Sequence, residues 1–211
     1  MHFNPFPYIR NKSDITKLVT NLIQNTNSPN IKNSSADPFW EKAEKMFLES
    51  LFLYVWMECP KAYFNTEKGK VELLQQNWKS ILFLLDEAQF LDNDTSPKLD
   101  ERMNELARKK PDHPAVKAYQ RYRGGPDDTI RSVIMTVNAR MQPFDNEELL
   151  EIFSSNDIPL DEFGTGIDGD GKTKSNLFII IPDDDDTFNF VPGMVYTCLL
   201  YTSPSPRDTE R

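Results

Sequence analysis

KVELLQQNWKSILFLLDEAQFL, Lys70 to Leu91, reads as a strand or as a helix, and the choice sets the fold. Its middle, ILFLLDE (Ile81 to Glu87), has the apolar-run-then-Asp-Glu form of the strand that holds magnesium in nucleotide-hydrolysing enzymes. The spacing decides against a strand. Val71, Leu74, Trp78, Ile81, Leu85 and Ala88 step by three or four residues through the Asp-Glu pair, with no Gly or Pro to set a strand apart. That period predicts a helix from Lys70 to Leu91. Asp86 and Glu87 then turn to water instead of standing at the end of a buried strand.

A second nucleotide-like pattern lies downstream. GIDGDGKT, Gly166 to Thr173, has the G-x-x-x-x-G-K-T spacing of a phosphate loop. Such a loop works because it follows a strand and opens a helix, whose first backbone N–H groups cradle the anion. Here the loop leads into NLFIII (Asn176 to Ile181), a β-branched and aromatic run ending at Pro182 that predicts a short buried strand. Asp168 and Asp170 would also aim carboxylates into the space a phosphate must occupy. A calcium loop starting at Asp168 fails too, because Thr173 and Ile179 stand where Gly and a bidentate Glu are needed. His2 and His113 have no spaced Cys, His or Glu partners for zinc, and no G-x-S-x-G elbow occurs. Asp183 to Asp186 could gather magnesium, but they precede TFNF, where carboxylates favour a helix N-terminus. No catalytic, cofactor-binding or metal-ligating residue is assigned.

Outward from these stretches the chain reads as helices. Ile15, Leu18, Val19, Leu22 and Ile23 give an amphipathic helix from Ser13 to Asn25, with Ser13 placed as its cap. An Asn- and Ser-rich stretch follows. In DPFWEKAEKMFLESLFLYVWMECP, Asp37 reads as cap, Pro38 as first helical residue and Pro60 as stop. Phe39, Ala43, Phe47, Leu51 and Tyr54 form one stripe, widened by Trp40, Leu48, Phe52 and Val55, so this helix is buried around much of its circumference. Further helices are predicted from Lys98 to Lys110, Pro114 to Arg123, Asp128 to Met141 with Asp128 as cap, and Asn146 to Ser155. Before Gly164 the only glycines are Gly69, Gly124 and Gly125. The expected fold is mainly α.

With 211 residues, the chain is long enough for a substantial core. Its most apolar segment, Met46 to Met57, is broken by Glu49 and Ser50, short of the ~20 apolar residues of a membrane span, and its start lacks the pattern of a secretory signal. The two cysteines are Cys59 and Cys198. A net charge of −9 opposes general attraction to a phosphate backbone. A local exception is RKKPDHPAVKAYQRYRGG. There Arg108, Lys109, Lys110, Lys117, Arg121 and Arg123 offer either a solvated helix surface or a face for DNA or a protein partner.

Four segments, FNPFPYIRNKSDITKLVTNLIQNT, DPFWEKAEKMFLESLFLYVWMECP, DHPAVKAYQRYRGGPDDTIRSVIMTVNARMQPF and NLFIIIPDDDDTFNFVPGMVYT, resemble in that order the central region of VirD4/TraG-type coupling proteins. The resemblance spans about Phe3 to Thr197. It implies a fragment of a membrane-anchored, RecA-like, hexameric ATPase that brings relaxase-bound single-stranded DNA to a type IV secretion channel. Under it, residues 1–13 lead in from the nucleotide-binding domain, and 14–164 form an inserted all-α domain for DNA or relaxosome recognition. Residues 165–197 return as loop, strand and helix start. ATP and magnesium belong to parts of the parent protein that this stretch lacks, as does the anchor to the cytoplasmic face of the membrane. CLLYTSPSPRDTER, residues 198–211, looks like a translated sequencing-library adapter; the alternative is a disordered tail. Two rival functions are a self-contained nucleotide hydrolase using Lys172, Thr173, Asp86 and Glu87, and a structural helical spacer.

Overall fold

The computed structural model describes residues 2–26, 38–61, 74–90, 96–166, 170–173, 176–180, 188 and 190–202. Asp37, Lys70 to Leu73, Leu91, Asp168, Asp183 to Asp186 and residues 203–211, all invoked above, lie outside them. The described residues are mainly helical and include no strand. Nor is any described helix long and apolar enough to cross a membrane.

The centre is α2 (Pro38–Glu58), which packs against α1 (Lys12–Asn25), α3 (Trp78–Glu87), α5 (Pro114–Arg123) and α6 (Asp127–Met141). Having neighbours on several sides explains why its apolar positions go almost all round. Phe47, Leu48, Leu51, Phe52 and Val55 are fully buried, each contributing about 1.5–3 kcal/mol by leaving water. α4 (Lys98–Lys109) packs on α5 and α3. The chain then runs through a 3-10 turn at Gln142–Asp145, α7 (Glu147–Ile152) and a single turn, α8 (Glu162–Thr165), to α9 (Phe190–Thr202), which lies against α1. α9 continues past Thr197, and Cys198 within it is buried.

Several boundaries differ from the sequence expectation, each for a local reason. α1 is capped by Asn11, not Ser13: the Asn11 side chain accepts the Asp14 N–H, and the Asp14 carboxylate accepts the N–H groups of Asn11 and Arg10. α3 begins at Trp78, later than the periodicity predicts. Leu74 takes a left-handed φ of 60°, Asn77 caps the helix through the Ser80 N–H, and Gln76 folds back to donate to the Trp56 and Cys59 carbonyls at the end of α2. Capping bonds outcompete another turn of helix here. α6 opens at Asp127, one residue before the expected cap, so Asp128 sits inside its first turn. α7 is bounded by Asn146, whose side chain accepts the Glu148 and Leu149 N–H groups, and stops at Ile152, short of Ser155.

The expected buried strand is not found where it is described. Residues 176–180 have no regular structure, and Phe178 and Ile180 are 86% and 95% exposed. A strand needs a neighbour for its backbone N–H and C=O groups, and the described residues supply none.

Candidate functional site

The basic residues picked out in the sequence fall on the hairpin of α4 and α5. Between Lys98 and Arg123 there are eight Lys or Arg and four Asp or Glu, a positive excess inside a chain of net charge −9. The hairpin turns tightly because α4 ends at Lys109 and Pro114 starts α5, with His113 as the cap. The His113 Nδ1 accepts the Ala115 N–H at 3.2 Å, and its Nε2 lies 3.1 Å from Glu58 Oε1 at the end of α2. Lys110 Nζ donates to both oxygens of the same carboxylate at 2.7 and 2.9 Å. The turn is thereby pinned to α2.

The six cations divide by what they already hold. Arg123 donates through Nε and Nη2 to the Asp100 carboxylate and through Nη1 to Asp127, joining α5 to α4 and α6. Tyr119 donates its hydroxyl to the same Asp100 at 2.7 Å; burial, then Asp100, pushes that phenol far above its ordinary range. Arg123 and Lys110 are therefore engaged in holding the fold. Lys117 meets Asp112 at 2.7 Å, but both side chains are largely in solvent, and such surface pairs contribute about 0–1 kcal/mol. Arg108, Lys109 and Arg121 are exposed and form no ion pair with another described residue. Lys117 and Arg121, four apart, share one face of α5.

His113 gives the hairpin a pH dependence. Its cap requires an unprotonated Nδ1, and burial holds its pKa below the ordinary 6.5, with Lys110 and Lys12 adding to the effect and Glu58 opposing it. A depressed histidine stabilises the fold fully above about 6.5 and loses that contribution as pH falls through its folded value. Denaturant midpoints are expected to drop between about pH 7 and pH 5. His113→Asn, which keeps a capping acceptor, is expected to flatten that part of the profile.

The nucleotide look-alikes have a different geometry from a nucleotide site. Asp170 accepts the backbone N–H groups of Lys172 and Thr173, both at 2.9 Å, and also bonds the Thr173 hydroxyl. Two amides that would face a phosphate thus hold the chain's own carboxylate, whose pKa these bonds lower. Gly166, at φ 82°, has no room for a side chain: a Cβ there would stand 2.2 Å from Asp170 Oδ1. The segment follows the helical turn α8 and leads to the irregular residues 176–180, whereas a phosphate loop lies between strand and helix. Asp86 is exposed on α3, and the partial loss of water around its carboxyl, then Asp145, raises its pKa. Glu87 accepts two hydrogen bonds from Arg102, at 2.6 and 2.7 Å. Among the described residues, no group of three or more His, Cys, Asp or Glu is placed to hold a metal ion.

The structure also reveals what the sequence did not indicate: Glu58 and Asp100 as the anchors that decide which of these cations are already paired among the described residues. Comparison with known proteins gives one positive finding, a match of residues 1–191 to the family described as type IV secretory system conjugative DNA transfer. No curated protein and no solved structure matches the chain. With that match extending over most of its length, the chain belongs to the type IV secretory system conjugative DNA transfer family.

Proposed function

We propose that the chain is the central, all-helical part of a VirD4/TraG-type coupling protein, and that its α4–α5 hairpin guides single-stranded DNA or a relaxase–DNA complex toward a secretion channel. The observation that carries this reading is the set of exposed cations with no ion pair among the described residues, Arg108, Lys109 and Arg121, on one hairpin of an otherwise acidic chain from a DNA-transfer family. In the parent protein, ATP and magnesium would drive movement from a RecA-like domain into which residues 14–164 are inserted. That protein would work as a homo-hexamer at the cytoplasmic face of the membrane. The role of this part is binding, with Lys117 joining the face by exchanging Asp112 for phosphate.

Charge reversal tests the face. Lys117→Glu/Arg121→Glu is expected to weaken binding to single strands roughly tenfold at low salt and to flatten its salt dependence. Unchanged binding rejects the hairpin as the DNA face. Lys172→Ala is expected to leave any ATP affinity of the chain unchanged, and a loss would revive the hydrolase reading. Residues 198–211 are proposed to be adapter-derived, and genomic DNA continuing past the Thr197 codon with a different sequence would support this.

A further inference from the structure

Resting on that reading, we propose that the hairpin holds a single strand by its phosphates alone and leaves the bases unread. Every residue from Lys98 to Arg123 is described, so its recognition chemistry can be read completely. Proteins that grip single strands with affinity for the bases combine a basic track with exposed aromatic faces on which bases stack. The rings on this hairpin are His113, Tyr119 and Tyr122, and all three are buried. Both tyrosine hydroxyls and one imidazole nitrogen are also occupied. The His113 Nδ1 caps α5, the Tyr119 hydroxyl donates to Asp100, and the Tyr122 hydroxyl donates to the Ile130 carbonyl. The Tyr122 ring stacks on Phe47 of α2, with centroids 4.6 Å apart. No ring on the hairpin is left to receive a base.

What remains outward is charge. Arg108, Lys109 and Arg121 are free of other described ion pairs, and Lys117 is held only by an exposed carboxylate. Arg and Lys reach phosphate oxygens without regard to sequence. Three or four such contacts on a single strand, at about 0.7 per phosphate, correspond to a log-affinity slope against log salt of about −2 to −3. An acidic peptide offers carboxylates to the same cations. The strand is favoured because the family is one of DNA transfer.

The test measures binding of the 211-residue chain to labelled strands of equal length: one of thymidine, one of mixed sequence and one abasic sugar-phosphate strand, with polyglutamate as competitor. The expected result is affinities equal within about twofold and a slope of about −2 to −3 for all three strands. Arg108→Gln/Lys109→Gln/Arg121→Gln is expected to abolish both, and an unchanged helical melting curve would show that the triple variant still folds. More than about tenfold preference for base-bearing strands or for one sequence would overturn phosphate-only contact while leaving the DNA-guiding role intact. Polyglutamate displacing the strand at equal charge concentration would overturn the choice of partner. Failure of the unaltered chain to bind any strand would remove the DNA-guiding role itself.

Discussion

Replacing Trp78 with alanine is expected to lower the stability of the fold by about 4 kcal/mol, within the range for deleting a buried large aromatic. Trp78 is fully buried and stacks on Phe144 with centroids 4.5 Å apart. It meets Phe52 edge-on at 5.4 Å and tilts against Phe153 at 5.2 Å. Through these rings it is joined to Phe3, Phe6 and Phe190. One side chain therefore ties the N-terminal segment, α2, α3, the turn before α7 and α9 into a single core. A domain of this kind has about 5–15 kcal/mol of total stability, so the alanine variant should unfold at a much lower urea concentration. Trp78→Phe separates ring packing from the polar group. The Nε1 has no hydrogen-bond partner among the described residues, and removing it relieves a desolvated donor. The expected loss is below about 2 kcal/mol, since much of the ring contact survives. An alanine variant as stable as the unaltered chain would show that these elements do not share one core.

The helices were legible in the sequence wherever punctuation and period agreed. Pro114 and the Gly124-Gly125-Pro126 run mark α5, and Pro38 opens α2, because proline fits the first helical turn and cannot extend a preceding one. For Ile81 to Glu87 the period and the lack of a flanking Gly or Pro point to a helix, which is enough when the apolar face is continuous. Helix starts were less legible where a side chain competes with the backbone. Gln76 donates to carbonyls 17 and 20 residues away, and nothing local in LLQQN shows that those acceptors will be near. The run NLFIII illustrates the opposite limit. Its composition favours a strand, but a strand exists only through a partner, and the described residues offer none.

The candidate site was legible as a set of residue types and not as a set of free groups. Six cations at close spacing could be counted directly. Which of them are neutralised depends on Glu58, 52 residues from Lys110, and on Asp100, 23 residues from Arg123. Those separations are closed by the packing of α5 along α2 and α4, so no window of local sequence holds the information. The nucleotide look-alikes were more tractable, since Asp170 lies within the very loop whose amides it occupies.

Removing one partner of the Arg140–Glu44 pair is expected to destabilise the chain by about 3–5 kcal/mol, whereas removing both is expected to restore much of the loss. Arg140 Nε and Nη2 donate to Glu44 Oε2 at 3.0 and 2.7 Å, and the two side chains are only 9% and 6% exposed. Nη1 donates at 2.8 Å to the Ile23 carbonyl and at 2.8 Å to the Thr26 hydroxyl. One guanidinium thus joins α6 to α2 and satisfies a carbonyl at the end of α1 that has no partner within the helix. Arg140→Met leaves a buried carboxylate without its cation, and Glu44→Leu leaves a buried cation without its carboxylate. In Glu44→Leu/Arg140→Met both charges are gone and the methionine can fill the vacated volume, leaving mainly the lost bond to Ile23, about 1–3 kcal/mol. Arg140→Lys should behave like the single deletions, because an ammonium cannot reach Glu44, Ile23 and Thr26 with a planar fork. Urea unfolding of the four proteins in the cycle gives the coupling directly. Single variants whose losses simply add in the double variant would show that the pair is not coupled, and would assign the stability of this corner to packing alone.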